Sequence, residues 1–206
     1  MALTSAITPT FTSADWTKVN ATTAEYATRV SIPMSASGNA CRTAVGYDLT
    51  NSSISFKHHA FSTGSQNFEL RASNAAADCY RVIGNSTNTG VFNITNGTTT
   101  SVTTMTNAVG KANPYWRWRH VTGTGMIFEA SPDAAFSTIG YTYTIASPAK
   151  AITNLFVYFY QNQSGGSGTW TVQELNGAAD PAGAAAARFQ KVHVHQQHAL
   201  QRASRW

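Results

Sequence analysis

The sequence predicts an all-β fold in which two antiparallel sheets form a sandwich, followed by a C-terminal extension. Short alternating runs of apolar and polar residues recur between clusters of Gly, Asn, Ser and Pro, as is typical of sandwiches and barrels. No segment before Gly177 has convincing helical periodicity. Charged residues make up 11% of the chain, against about 25% in ordinary globular domains. The uncharged polar residues that replace them favour strands and turns.

The strands of this sandwich follow from the alternating runs. We expect them at residues 15–19, 26–32, 43–49, 54–59, 67–72, 79–83, 90–94, 115–121, 126–130, 152–160 and 169–175. The Thr- and Asn-rich stretch 85–107 alternates too regularly to be a linker, and no internal repeat or mid-chain boundary is visible. One domain is therefore expected over residues 1–176.

Residues 177–206 differ in kind, since an Ala-rich stretch is followed by a basic one. Their composition is compatible with a short helix, an extended arm or a remnant of expression. We expect an arm that docks on a neighbouring subunit through basic and aromatic side chains. These are Arg188, Phe189, Lys191, Arg202, Arg205 and Trp206. His193 and His195 leave a metal site in this arm open as an alternative.

Charge and hydropathy exclude several partners. Four of the basic residues lie in the last twenty positions, so the rest of the chain is nearly balanced in charge, and we expect no nucleic-acid partner. No stretch approaches the roughly 20 apolar residues of a membrane span, and we expect no membrane partner. Residues 1–12 lack a basic start and an apolar run, so no signal peptide is expected. No cofactor site and no metal site are predicted.

Cys41 and Cys79 are the only cysteines. Two cysteines cannot form a structural zinc site alone. Because both lie in or beside expected strands, a disulfide is possible, and two buried thiols are the favoured interpretation.

The most informative run is at residues 115–133, which read YWRWRHVTGTGMIFEASPD. It resembles a strand pair of the concanavalin A-like lectin and glucanase jelly rolls, many of which are phage tail or virion-surface modules. Residues 47–54 (YDLTNSSI), 68–71 (FELR) and 80–83 (YRVI) are similar to further strands of these modules. One departure is that Ala134 and Phe136 stand where the family has Gly and, soon after it, Trp.

The resemblance implies a two-sheet antiparallel jelly roll and a binding or structural role. The expected function is that of a bacteriophage virion component, a capsid decoration or tail protein assembled in the host cytoplasm. Its partners would be other virion subunits or further copies of itself, and a cell-surface glycan. A stand-alone carbohydrate-binding module or lectin is the alternative, and a glucanase-type hydrolase is a weaker one.

Alternation places several charged side chains on the outer faces of strands. Phe68, Leu70, Trp116, Trp118 and Phe128 are expected to point into the core, so their neighbours point outward. If the strands belong to one sheet, these neighbours form one polar patch. Its members would be Arg71, Arg81, Arg117, Arg119, Glu69 and Glu129.

Two interpretations of this patch remain open, one being cross-strand Arg–Glu pairs on an open sheet face. The other is a ligand-contacting concave face, in which Arg holds hydroxyls or carboxylates bidentately. On that second interpretation Tyr158 and Tyr160 would supply stacking rings. Partial burial of both tyrosines in the core or an interface is the favoured interpretation.

The distribution of carboxylates argues against an enzyme. A glycosidase needs two carboxyl groups flanking the scissile bond, and the nine acidic residues are scattered. Glu129 and Asp133 come nearest, but Pro132 breaks the strand that would align them. His58 and His59 are adjacent and should point to opposite faces. We therefore expect no catalytic residues.

Overall fold

All the strands that the structure describes pair into two antiparallel sheets. The structure is a computed structural model and describes residues 10–22, 27–59, 66–72, 78–84, 88–95, 98–146, 152–161 and 166–177. The docking arm predicted at its C-terminal end, with its basic, aromatic and histidine residues, lies outside these ranges.

The strands follow one another along the chain with short connections. They are β1 (Trp16–Val19), β2 (Arg29–Pro33), β3 (Ala40–Thr43), β4 (Ser53–His59), β5 (Gln66–Arg71), β6 (Cys79–Gly84), β7 (Asn88–Thr95), β8 (Thr98–Thr106), β9 (Tyr115–Val121), β10 (Gly125–Ser131), β11 (Tyr141–Ile145), β12 (Phe156–Gln161) and β13 (Thr169–Gln173). A short helix α1 (Asn107–Ala112) lies between β8 and β9, and a 3-10 turn (Leu175–Gly177) follows β13.

The chain crosses repeatedly between the two sheets. The seven-stranded sheet has the order β1-β3-β12-β5-β6-β7-β8, and the six-stranded sheet has the order β11-β10-β9-β4-β13-β2. The late strands β12 and β13 are thus inserted beside early ones. The predicted two-sheet antiparallel sandwich is confirmed.

The core between the sheets is aromatic. Trp116, Trp118 and Trp170 are fully buried. Phe56 of the six-stranded sheet packs against Phe159 of the other sheet, with ring centroids 4.9 Å apart. Edge-to-face pairs of this kind add stability beyond the area that they bury. The predicted inward positions of Trp116 and Trp118 are confirmed.

Several elements differ from the prediction. β8 and β11 were not predicted, because their Thr-rich sequences give weak apolar alternation. The strand expected at 43–49 ends at Thr43 instead. Helix α1 was also missed, since six residues are too few for a helical period. It begins after Thr106, whose hydroxyl accepts a hydrogen bond from the Val109 N–H.

Both cysteines are buried, and neither forms a disulfide. Cys41 lies on β3 and Cys79 on β6, and two strands, β12 and β5, separate them in the sheet. Burial raises the pKa of Cys41 to about 12, so its thiol is neutral at physiological pH. The interpretation as two buried thiols is confirmed, and the disulfide alternative is wrong.

Candidate functional site

The six charged residues predicted to form one patch lie in two separate clusters. The Glu69 triad is on the seven-stranded sheet and the Glu129 triad is on the six-stranded sheet. The former comprises Glu69, Arg71 and Arg81; the latter comprises Glu129, Arg117 and Arg119.

The two triads face opposite sides of the sandwich. Phe68 and Leu70, which flank Glu69, are in the core, and so is Phe128 beside Glu129. Because side chains alternate along a strand, each glutamate points away from the core on its own sheet. The prediction of one polar patch is therefore wrong, because it assumed that all of these strands share a sheet.

Glu69 is the centre of the first triad and has no exposed side-chain surface. Arg71 Nε donates to its Oε2 at 2.5 Å, and Arg81 Nε donates to its Oε1. The Tyr160 hydroxyl donates to Oε1 as well, at 2.7 Å. The β5–β6 register places Glu69 directly opposite Arg81, and the next outward position on β5 is Arg71. A buried carboxylate is stable here because each of its oxygens is hydrogen-bonded.

The guanidinium groups of this triad stay charged. Burial lowers the pKa of Arg71 and of Arg81, but the negative charge of Glu69, the hydrogen bonds to it and the nearby tyrosines together outweigh this effect, and both pKa values are raised. Burial and the same carboxylate raise the pKa of Tyr160. The triad therefore carries one more positive than negative charge.

Tyr158 is covered by this cluster. Its exposed fraction is 4%, and the Arg71 guanidinium carbon lies 3.9 Å from the centroid of its ring. Its hydroxyl accepts a hydrogen bond from Arg42 Nη1 at 3.1 Å. The favoured interpretation, burial of Tyr158, is confirmed. The alternative that Tyr158 supplies an open stacking ring is wrong, since the ring face supports Arg71 instead.

The same geometry leaves hydrogen-bond donors open. Arg71 and Arg81 each use Nε on Glu69, and neither donates an Nη hydrogen to another described residue. Their side chains are 13% and 18% exposed. The Nη ends of both groups are thus available to a ligand while Glu69 holds them in place.

An aromatic residue that was not predicted as part of the site borders the triad. Phe92 on β7 lies directly opposite Arg81 and therefore faces the same side of the sheet. Its half-buried ring leans over Gly90, where an added Cβ would lie 2.6 Å from the ring. Gly90 gives the ring the space to lie against the sheet. Glycine at the start of an expected strand was the available sequence signal.

The Glu129 triad is more closed on itself. Arg117 donates to Oε2 through Nε at 2.8 Å and Nη2 at 2.6 Å. Arg119 donates to Oε1 through Nε at 3.0 Å and Nη2 at 2.8 Å. Burial raises the pKa of Glu129, but the hydrogen bonds from Arg119 and Arg117 and the positive charges of both arginines together outweigh this effect, and the pKa is lowered. The Phe136 ring lies 4.0 Å from the Arg117 guanidinium carbon.

Asp133 organises the turn that follows β10. Its side chain accepts hydrogen bonds from the backbone N–H groups of Ala135, Ser137 and Thr138. These bonds, chiefly that from Ser137, hold its pKa at about 2. Phe136 adopts a positive φ of 54° in this turn. A well-ordered turn thus forms although Ala134 and Phe136 depart from the family pattern.

The described histidines and acidic residues form no metal site, since no group of three or more of them could hold an ion. His58 points inward, where its ring centroid lies 4.1 Å from that of Trp116. The side chain of His59 lies outside what the structure describes. No helix among the described residues is long and apolar enough to cross a membrane.

Solved structures share this fold at low sequence identity. A legume lectin-like domain from Entamoeba histolytica is 13% identical with a TM-score of 0.56, and the match covers 77% of this chain and 87% of that domain. An uncharacterized protein from Mycobacterium paratuberculosis is 7% identical with a TM-score of 0.50, covering 85% and 96%. A β-glucanase from Bacillus licheniformis is 12% identical with a TM-score of 0.48, covering 78% and 89%.

These likenesses concern the fold alone. No protein-family model matches the chain, and no curated protein matches it in sequence. The likeness to the lectin-like domain, together with the two antiparallel sheets, confirms the predicted concanavalin A-like jelly roll.

Proposed function

We propose that this chain is a non-catalytic binding protein that holds a glycan on the outer face of the seven-stranded sheet and serves as a bacteriophage virion component. The observation that carries the binding role is the Glu69 triad, in which a fully buried carboxylate fixes two partly exposed guanidinium groups through Nε and leaves their Nη atoms without a hydrogen bond to a described residue. Donors that are held in place before binding lose little conformational entropy when a ligand arrives.

The surroundings of the triad suit a sugar ring. Glycan hydroxyls need hydrogen-bond donors, and Arg71 and Arg81 provide them in a fixed fork. Phe92, beside Arg81 on the same face, offers an apolar surface to the C–H groups of a pyranose. Binding sites commonly combine such an apolar surface with a few well-placed polar groups.

The carboxylates support a role without catalysis. Hydrolysis of a glycosidic bond requires two carboxyl groups on either side of one bond, whereas Glu69 and Glu129 lie on opposite faces of the sandwich. A general acid needs a raised pKa, but the pKa of Glu129 is lowered. Asp133 is committed to its turn by backbone hydrogen bonds.

The virion role rests on composition and on the sequence resemblance. A surface rich in Ser, Thr and Asn, with 11% charged residues in the chain, resembles that of particle-surface modules. Other virion subunits or further copies of the chain would be its partners. Sedimentation with purified particles tests this role: co-sedimentation supports it, and a protein that never associates with particles contradicts it.

The glycan-binding role is tested by screening the protein on a glycan array and measuring hits by calorimetry. Arg81→Ala should weaken binding, whereas Arg119→Ala, a matched change on the opposite sheet, should leave it unchanged. Circular dichroism checks that both variants fold. Absence of binding to any glycan would refute the role. Turnover of a bound glycan would refute its non-catalytic part.

A further inference from the structure

We infer that the face carrying the Glu69 triad selects anionic glycans, whose carboxylate or sulfate groups are held by the Nη ends of Arg71 and Arg81. This inference rests on the proposed function and specifies the chemical class of its ligand. Three features support it. The face has an excess of positive charge, the Nη atoms of Arg71 and Arg81 have no hydrogen bond to a described residue, and Arg71 covers the Tyr158 ring.

The charge on this face is unbalanced. Among the outward-facing strand residues that the structure describes on the seven-stranded sheet, the charged ones are Arg42, Arg71, Arg81 and Glu69. Three positive charges thus face one negative charge. Arg42 belongs to the same group, because its guanidinium carbon lies 5.7 Å from the centroid of the Tyr158 ring that Arg71 also covers.

Partial burial strengthens the effect of this charge. Glu69 is inaccessible to solvent, and the side chains of Arg71 and Arg81 are mostly buried. Charges in such surroundings are screened by salt less than exposed charges are. An anionic group that approaches the Nη ends replaces lost hydration with charge-assisted hydrogen bonds, whereas a hydroxyl supplies only a neutral acceptor.

The open atoms fit an anion with two oxygens. Nε of each arginine is used by Glu69, so the edge formed by Nη1 and Nη2 is the part that has no hydrogen bond to a described residue. That edge matches the spacing of two oxygens in a carboxylate or sulfate. Recognition depends more on this edge than on stacking, because the Tyr158 ring is covered by Arg71.

The opposite sheet provides the contrast. In the Glu129 triad each arginine donates both Nε and Nη2 to the carboxylate. One of the two Nη atoms of each of these arginines is therefore already used by Glu129. Each triad contains two arginines, but only those of the Glu69 triad keep both Nη atoms free of the carboxylate. We therefore expect the Glu69 triad to bind anions more strongly, and the Glu129 triad serves as an internal control.

The experiment compares three oligosaccharides of equal length by calorimetry: one built of uronic acids, one sulfated and one neutral. Wild-type protein should bind one or both anionic ligands at least about tenfold more tightly than the neutral one, since one charge-assisted hydrogen bond has about that effect. This preference should shrink as ionic strength rises. Comparison of the uronic-acid and sulfated oligosaccharides shows which anion the face binds more tightly.

Variants test the residues involved. Arg81→Lys keeps the charge but removes the fork, and Arg42→Gln removes a charge without touching Glu69. Both should weaken anion binding about tenfold. Arg42→Gln should leave neutral-glycan binding nearly unchanged, whereas Arg81→Lys should weaken it by a smaller factor, because glycan hydroxyls use the same fork. Arg119→Lys should change neither. If Arg81→Lys fails to fold, Arg42→Gln and the salt dependence of the wild-type protein still decide the question.

The outcomes separate the inference from the proposed function. Equal affinity for neutral and anionic ligands, with no effect of salt, overturns the anionic preference but leaves the glycan-binding role standing. No binding of any of the three ligands, together with a negative array, overturns both. An anionic preference that Arg119→Lys abolishes and Arg81→Lys does not would place the site on the wrong sheet and overturn the inference.

Discussion

Replacing Glu69 by glutamine tests whether the first triad holds its sheet together. The change keeps the side-chain volume but removes the charge that faces Arg71, Arg81 and the Tyr160 hydroxyl. The two guanidinium groups would then be mostly buried without a counter-charge, and removing one partner of a buried ion pair costs about 3–5 kcal/mol. We expect the free energy of unfolding to fall by about that amount.

The matched change is Glu129→Gln. Its arginine partners are 22% and 33% exposed, so water can solvate them when the carboxylate is lost. The expected cost is about 1–2 kcal/mol, closer to that of a surface pair.

Urea unfolding followed by tryptophan fluorescence measures both changes. With a slope of about 2–3 kcal/mol per molar urea, Glu69→Gln should lower the midpoint by about 1–2.5 M and Glu129→Gln by about 1 M or less. Equal shifts for the two variants, or a negligible shift for Glu69→Gln, would refute the argument that burial separates the two triads.

Three further predictions concern the core, the thiols and the turn after β10. Trp118→Ala should cost about 3–5 kcal/mol of unfolding free energy and Arg117→Ala about 1 kcal/mol or less; equal losses in urea titrations would contradict the assigned faces. Cys41 should resist a thiol-specific chromogenic reagent at mildly alkaline pH until the protein unfolds, because its pKa is about 12; rapid labelling of the native state would show that it is accessible. Asp133→Asn should lower the melting temperature at neutral pH. The depressed pKa of Asp133 stabilises the wild-type fold at pH values above the unfolded-state pKa of 3.8, and this stabilisation is lost as the pH falls through about 2. The difference in melting temperature between wild type and variant should therefore shrink in acid. A difference that stays constant with pH would count against this cause.

The candidate site was only partly predictable from the sequence. Alternation correctly predicted that Glu69 and Arg71 point away from the core, because Phe68 and Leu70 require the other face. It did not predict that Tyr160 would donate a hydrogen bond to Glu69, since the two residues are 91 positions apart in the chain. Phe92 was missed because its role depends on Gly90 beside it and Arg81 opposite it.

The sequence by itself determined the fold class and which face of each strand is buried. Both depend on the two-residue period of a strand, which is visible in the alternation of apolar and polar residues at positions such as Trp116, Arg117 and Trp118. Only the tertiary structure decided which strands share a sheet, because the pairing of β12 with β5 is a long-range choice that local alternation does not encode. Six charged residues with one shared pattern therefore form two triads on opposite faces, and only in the Glu69 triad do the arginines donate no Nη hydrogen to the carboxylate.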